Sequence, residues 1–238
     1  MTEITPKPSK NTDKKENMLI NMLLNIIIPT AILIKLSSEA YLGPKWSIVV
    51  ALAFPIAYGC NDFFARGKIN IFSGLGIIGI LLTGGISLLE LDPAYIAIKE
   101  ASIPAIIGLA TLFSLRTRYP LIKTFLYNDK ILQVDKIALS LKENGNEKAF
   151  EKCLITATYM VAGSFFLSSA LNYILAKVIL LSPPGTPEYT AELGKMMGLS
   201  FPVIALPSTI VLMAALFYLF RRIGQLTQLS LEDMINEP

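Results

Sequence analysis

Histidine is absent from this chain, and cysteine occurs only twice, at Cys60 and Cys153. The first absence removes the commonest metal ligand and the commonest general base at neutral pH. The second leaves neither a disulfide framework nor a CxxC metal site, since the two thiols lie far apart in the sequence. No GxSxG nucleophile motif stands in for them. Charge is scarce as well: 16% of the residues are charged, where soluble domains carry about a quarter. No run alternates basic residues with stacking aromatics, so the net charge of +3 does not point to nucleic acid. These gaps argue against an enzyme, and the expectation is no catalytic residue, no cofactor and no metal.

What fills the chain instead is apolar sequence. Uncharged runs cover 17–34, 46–61, 69–89, 101–115, 153–176 and 196–220. A helix crosses about 30 Å of hydrocarbon with roughly 20 residues. Three runs reach that length, 17–34 falls marginally below it, and the short runs 46–61 and 101–115 span if Lys45 and Lys99 snorkel toward the interface. The sequence therefore predicts an all-α, polytopic transmembrane helix bundle of about six spans. Counting basic residues on alternate sides places 16 of the 21 Lys and Arg on the face that holds both termini. By the positive-inside rule both termini are cytoplasmic.

The domain organisation follows. Residues 1–16 are polar, lysine-rich and proline-containing, and read as a disordered cytoplasmic tail. Spans 1–4 occupy 17–118, with the first span uncleaved. A cytoplasmic loop covers 119–151, spans 5–6 cover 152–222, and a second cytoplasmic tail covers 223–238. Within the loop, Ile137, Ala138 and Leu141 make a narrow apolar stripe, expected to lie on the membrane surface or to bind a partner. Asn144-Gly145 marks a stop, and Asn146 is placed to cap the next helix. Thr186-Pro187 has the form of a helix start, cap then first-position proline.

Polar residues inside the apolar runs are the candidate sites. Asn21 and Asn25 share a face of span 1 with Pro29, and Ser164, Ser168 and Asn172 share a face of span 5. An amide in lipid must find a partner, so both faces should point into the bundle. Gly74, Gly76 and Gly79 spell GxGxxG, but inside an apolar run they read as a small-residue packing face that includes Thr83. Asp62 and Arg66 are placed to pair at the cytoplasmic interface, where Arg116 and Arg118 anchor span 4. Pro202 and Pro207 should kink or partly unwind span 6.

The most distinctive polar feature is the turn between spans 3 and 4. Glu90, Asp92, Lys99 and Glu100 cluster there, and Asp92-Pro93 breaks the helix. Glu90 or Asp92 is expected to pair with Lys99 across the turn, with Glu100 in the headgroups. Alternatively, Glu90 and Lys99 line a polar pocket open to the outer face.

The order GG, LLELDP, AYIAIKEASIP and SLRTRYPLI over 84–122 resembles the corresponding hairpin of the intracellular septation protein A family. With LLTGGISLLELDP, SPPGTPEY and FPVIALPS, the whole chain is similar to a longer bacterial six-span family related to that group. It differs from the septation pattern at Glu100, where an aromatic follows the Ile-Lys pair, and in its longer cytoplasmic loop. The resemblance implies a bacterial inner-membrane protein that supports cell-envelope integrity or division. Its partners would be the lipid bilayer, other envelope proteins or a second copy. A small-solute or lipid transporter or channel is the alternative.

Overall fold

The computed structural model describes residues 22–66, 71–117, 127 and 132–235, with backbone only for 62–66, 71–77 and 231. The chain is all-helical over these residues, and its one sheet-like contact is an isolated bridge between Leu132 and Ile235. In order, the helices are α1 (Leu23–Lys35), α2 (Gly43–Arg66), α3 (Ile71–Leu88), α4 (Pro93–Ser114), α5 (Val134–Glu143), α6 (Glu147–Ile179), α7 (Pro187–Thr227) and α8 (Leu231–Met234). Three of them, α4, α6 and α7, are long and apolar enough to cross a membrane.

The surfaces of these three helices carry the reason. On α7, Leu206, Ile210, Met213 and Phe217 recur at helical spacing and are exposed, Ile210 at 68% and Phe217 at 67%. On α4, Ile106, Leu109 and Phe113 do the same, and on α6 so do Ile174 and Val178. Apolar stripes of this extent are not tolerated against water, and lipid is the solvent that suits them.

Two hydrophobic cores occupy opposite ends of the bundle. The first gathers Leu33 of α1, Ile48 and Leu52 of α2, Ile96 of α4, Leu175 of α6, and Tyr189, Leu193 and Ile204 of α7. One tight seam joins α1 to α7. A Cβ on Gly194 would stand 2.8 Å from the Leu33 Cβ and 3.2 Å from the Thr30 carbonyl oxygen, and one on Gly198 would meet Thr30 at 3.2 Å. Both helices therefore approach to a distance only glycine permits. A second seam joins α4 to α6, where Gly108 sits against Phe165 and Phe166 and the Ser169 hydroxyl donates to the Ala101 carbonyl at 2.8 Å.

Pro202 and Pro207 do break the helix they sit in, but by widening rather than by interruption. Phe201–Ala205 forms a π turn, and α7 continues through it. The same device appears in α1, where Leu23–Ile27 is π-helical just before Pro29. In both helices the π turn ends two residues before a proline. Proline offers no N–H and its ring crowds the carbonyl four residues back, here Asn25 and Val203, and a wider turn relieves both problems.

The second core closes the other end. Ile137 and Leu141 of α5 are buried against Phe150, Cys153 and Leu154 of α6, and against Leu219 and Ile223 of α7, with Met234 of α8. Two of the three stripe residues of α5, Ile137 and Leu141, are thus spent within the fold and are not available to the membrane surface or a partner, while Ala138 is exposed. Asn146 precedes α6 but makes no capping bond there; its side-chain amide donates to the Leu226 carbonyl at 2.8 Å. The Ser140 hydroxyl donates to the Thr227 carbonyl at 2.6 Å. Together they satisfy carbonyls at the end of α7 that have no partner within the helix. The segment after α7 is not a free tail over its described length: Gln228 turns the chain in left-handed geometry (φ 60°), and the Gln133 amide donates to the Met234 carbonyl at 2.9 Å.

Candidate functional site

The α3–α4 turn is built by local rules. The Leu91 amide donates to the Ile86 carbonyl and the Glu90 amide to the Ser87 carbonyl, the paired bonds of a Schellman ending. That ending requires a left-handed residue, and Glu90 fills it at φ 55° where glycine is usual. One residue after the turn, the Asp92 carboxylate accepts from the Ala94 amide at 2.7 Å and caps α4, with Pro93 in first position. Asp92 is therefore occupied as a cap.

Glu90 does not reach Lys99. Its Oε1 lies 3.1 Å from the Nζ of Lys45 at the start of α2, both side chains being exposed. The Glu90 side chain also packs on Gly185 of the α6–α7 loop, where a Cβ would stand 2.8 Å from its Cδ and φ is +82°. The expected pairing of Glu90 or Asp92 with Lys99 is corrected accordingly, and so is the pocket shared by Glu90 and Lys99. Lys45 lies 45 positions before Glu90, and nothing local in the sequence selects it.

Lys99 lies six residues into α4, about 9 Å along its axis from Pro93. Its side chain is only 11% exposed. The ammonium donates to Glu100 Oε1 at 2.5 Å, to the Thr83 hydroxyl at 2.5 Å and to the Gly79 carbonyl at 3.3 Å. Three donors meet three acceptors, so the cation is fully satisfied. Thr83 in turn donates to the Gly79 carbonyl at 2.9 Å. The face expected to pack small residues thus has a second use, supplying α3 acceptors to an α4 cation. Glu100, 30% exposed, is the counter-ion of Lys99 and stands with it below the end of α4.

Both charges line a cavity of about 390 Å³ between α2, α3, α4 and α7. Its walls are apolar: Leu52, Ile80, Ile103, Ile107, Met196 and Met197. Along α4 the lining runs from Lys99 to Ile107, two turns deeper into the helix. An ion pair at one end and aliphatic walls beyond is the layout of a site for an amphiphile. A charge pair set within an apolar helix of spanning length is a candidate functional site.

The other predicted residues stand apart from this cavity. Asn25 is half-buried in the π turn of α1. Asn172 donates its amide to the Ser168 carbonyl, one turn back on α6, at 2.8 Å. The Ser164 hydroxyl likewise donates within its own helix, to Val161. The polar contact that α6 makes with α4 comes instead from Ser169, one position off the predicted stripe. Arg116 is exposed just past the end of α4. Asn21, Arg118 and the side chains of Asp62 and Arg66 lie outside the described residues.

Two features escaped sequence reasoning. Glu192, one turn into α7, accepts the Leu181 and Ser182 amides at 2.9 Å and the Ser182 hydroxyl at 2.7 Å, tying the α6–α7 loop to the helix that follows. The Gly194-x-x-x-Gly198 spacing, a known signal for close helix approach, was there to be found. Among the described residues no three His, Cys, Asp or Glu side chains stand close enough to hold a metal ion. Compared with protein-family models, with curated proteins and with solved structures, the chain matches none.

Proposed function

We propose that the chain is a non-catalytic integral protein of a bacterial inner membrane that supports envelope integrity or division through contacts with lipid, made at the Lys99–Glu100 cavity. In this reading six helices span, both termini are cytoplasmic, and the α3–α4 turn faces outward. The excess of Lys and Arg on one face and the likeness of 84–122 to the septation protein A hairpin support that orientation and setting. The observation that carries the function is the ion pair itself. Lys99 and Glu100 are held between helices, at the polar end of a cavity whose remaining walls are aliphatic. A lipid offers the matching shape, a polar head and an apolar chain.

The test is a deletion strain complemented with wild type, with Lys99→Ala and with Glu100→Ala, each checked for folded protein in the membrane. The expected result is loss of envelope-stress resistance with both variants. Full complementation by both would sink the reading. The π turns of α1 and α7 favour a second reading, a transporter, since such turns are frequent at functional sites. Solute flux through proteoliposomes holding the purified chain, lost in Lys99→Ala, would favour it over the first.

A further inference from the structure

The Lys99–Glu100 site is electrically neutral as it stands, and this restricts what it can bind. An anion that drew Lys99 away would leave the Glu100 carboxylate uncompensated in a low-dielectric setting, and a cation on Glu100 would strand Lys99 in the same way. Breaking a largely buried pair from one side is costly for that reason. A ligand carrying both charges escapes the penalty. We propose that the cavity takes the head of a zwitterion, a primary ammonium and an anionic oxygen group on one short linker, by exchanging both partners of the Lys99–Glu100 pair at once.

In the exchange, the Lys99 ammonium turns one donor from Glu100 Oε1 to the ligand's anionic oxygen. Thr83 Oγ1 and the Gly79 carbonyl keep their hold on the other two donors, so the cation stays in place. The freed carboxylate accepts from the ligand's ammonium. Every charge retains a counter-charge, and no proton moves. A quaternary ammonium, lacking N–H, cannot give Glu100 a hydrogen bond and is a poorer fit. Ile103 and Ile107 beyond the pair then cover the start of an apolar chain. The inference rests on the lipid-contact reading and narrows it to one headgroup class.

The experiment is native mass spectrometry of the purified full chain, exposed in turn to phosphatidylethanolamine, phosphatidylcholine, phosphatidylglycerol and water-soluble glycerophosphoethanolamine. Phosphatidylethanolamine should be retained in preference to the other two lipids. Glu100→Gln, nearly isosteric, should weaken that retention about tenfold, the size of one charge-assisted hydrogen bond. Ile103→Trp fills the cavity with the ion pair left intact and should abolish retention. Equal retention of phosphatidylglycerol, or unchanged binding in both variants, overturns the proposal. Glycerophosphoethanolamine bound as tightly as the lipid upholds the zwitterion and assigns it to a free solute; weak binding assigns it to the bilayer. A zwitterion preference in a protein whose Lys99→Ala variant still complements the deletion would refute the functional reading and leave this one standing.

Discussion

Replacing Gly194 by alanine adds one carbon to the seam between α1 and α7. That carbon would lie 2.8 Å from the Leu33 Cβ, 3.0 Å from Ile34 Cγ1 and 3.2 Å from the Thr30 carbonyl oxygen. Ordinary contact begins at 3.4 Å, so at least one helix must back away by several tenths of an ångström. None of the three atoms is the free tip of a flexible side chain, and two of them move only with the α1 backbone. Overpacking of this kind costs about 1–3 kcal/mol, and the upper half applies here. Alanine returns about 1 kcal/mol because it fits a helix better than glycine. The net loss is about 1–2 kcal/mol. Gly163, in the middle of α6, provides the control, because a Cβ there meets nothing within 4 Å. Gly163→Ala should therefore gain about 0.5–1 kcal/mol from propensity alone. Reversible unfolding of the full chain in mixed micelles, followed by circular dichroism, should separate the variants by about 1.5–3 kcal/mol with wild type between them. If Gly194→Ala proves as stable as wild type, the close α1–α7 approach is wrong.

Two further outcomes follow from the ends of the bundle. Glu90→Gly should leave stability unchanged or raise it by up to about 2 kcal/mol in the same unfolding assay, because it relieves left-handed geometry worth about 1–2 kcal/mol while losing an exposed pair with Lys45 worth about 0–1 kcal/mol; a clear loss would mean that the pair or the Gly185 contact matters more than the backbone. At the other end, the hydrogen bond from Lys136 and then that from Ser230 hold the Asp233 carboxyl at about 2, below its ordinary 3.8. A depressed carboxyl stabilises the fold above its unfolded value and loses that contribution as pH falls toward the folded one, so the α5–α8 contact should weaken between about pH 4 and pH 2; carbon-13 titration of Asp233 should show the low midpoint, and Lys136→Ala should raise it.

Much of this architecture was legible in the residues, and the legible parts share a cause. Asp92-Pro93, Asn144-Gly145 and Thr186-Pro187 each set a helix boundary through bonds to residues within one turn, as with Asp92 to Ala94 and Thr186 to Tyr189. The long apolar runs 153–176 and 196–220 announced α6 and α7, because spanning length is a property of one segment; the short run 101–115 understated α4, which starts at Pro93 and carries Lys99 and Glu100 within it. Choice of partner is a different matter. Glu90 pairs with Lys45 and Lys99 with Thr83, contacts set by how α2, α3 and α4 meet. The stripe of α5 was visible, but the burial of Ile137 and Leu141 on α6 and α7 was not, since membrane, partner and the chain itself all present apolar surface.

The sequence by itself thus determined that this protein is helical, where several helices start and stop, and that α6 and α7 suit a lipid environment. Tertiary structure alone decided that the charged turn is two separate sites. Glu90 belongs to an exposed tie among α2, the α3–α4 turn and the α6–α7 loop, while Lys99 and Glu100 belong to the cavity. The reason is reach. Helix boundaries depend on neighbours within one turn, whereas an ion pair forms with whatever charge the packing of distant segments brings within a few ångströms.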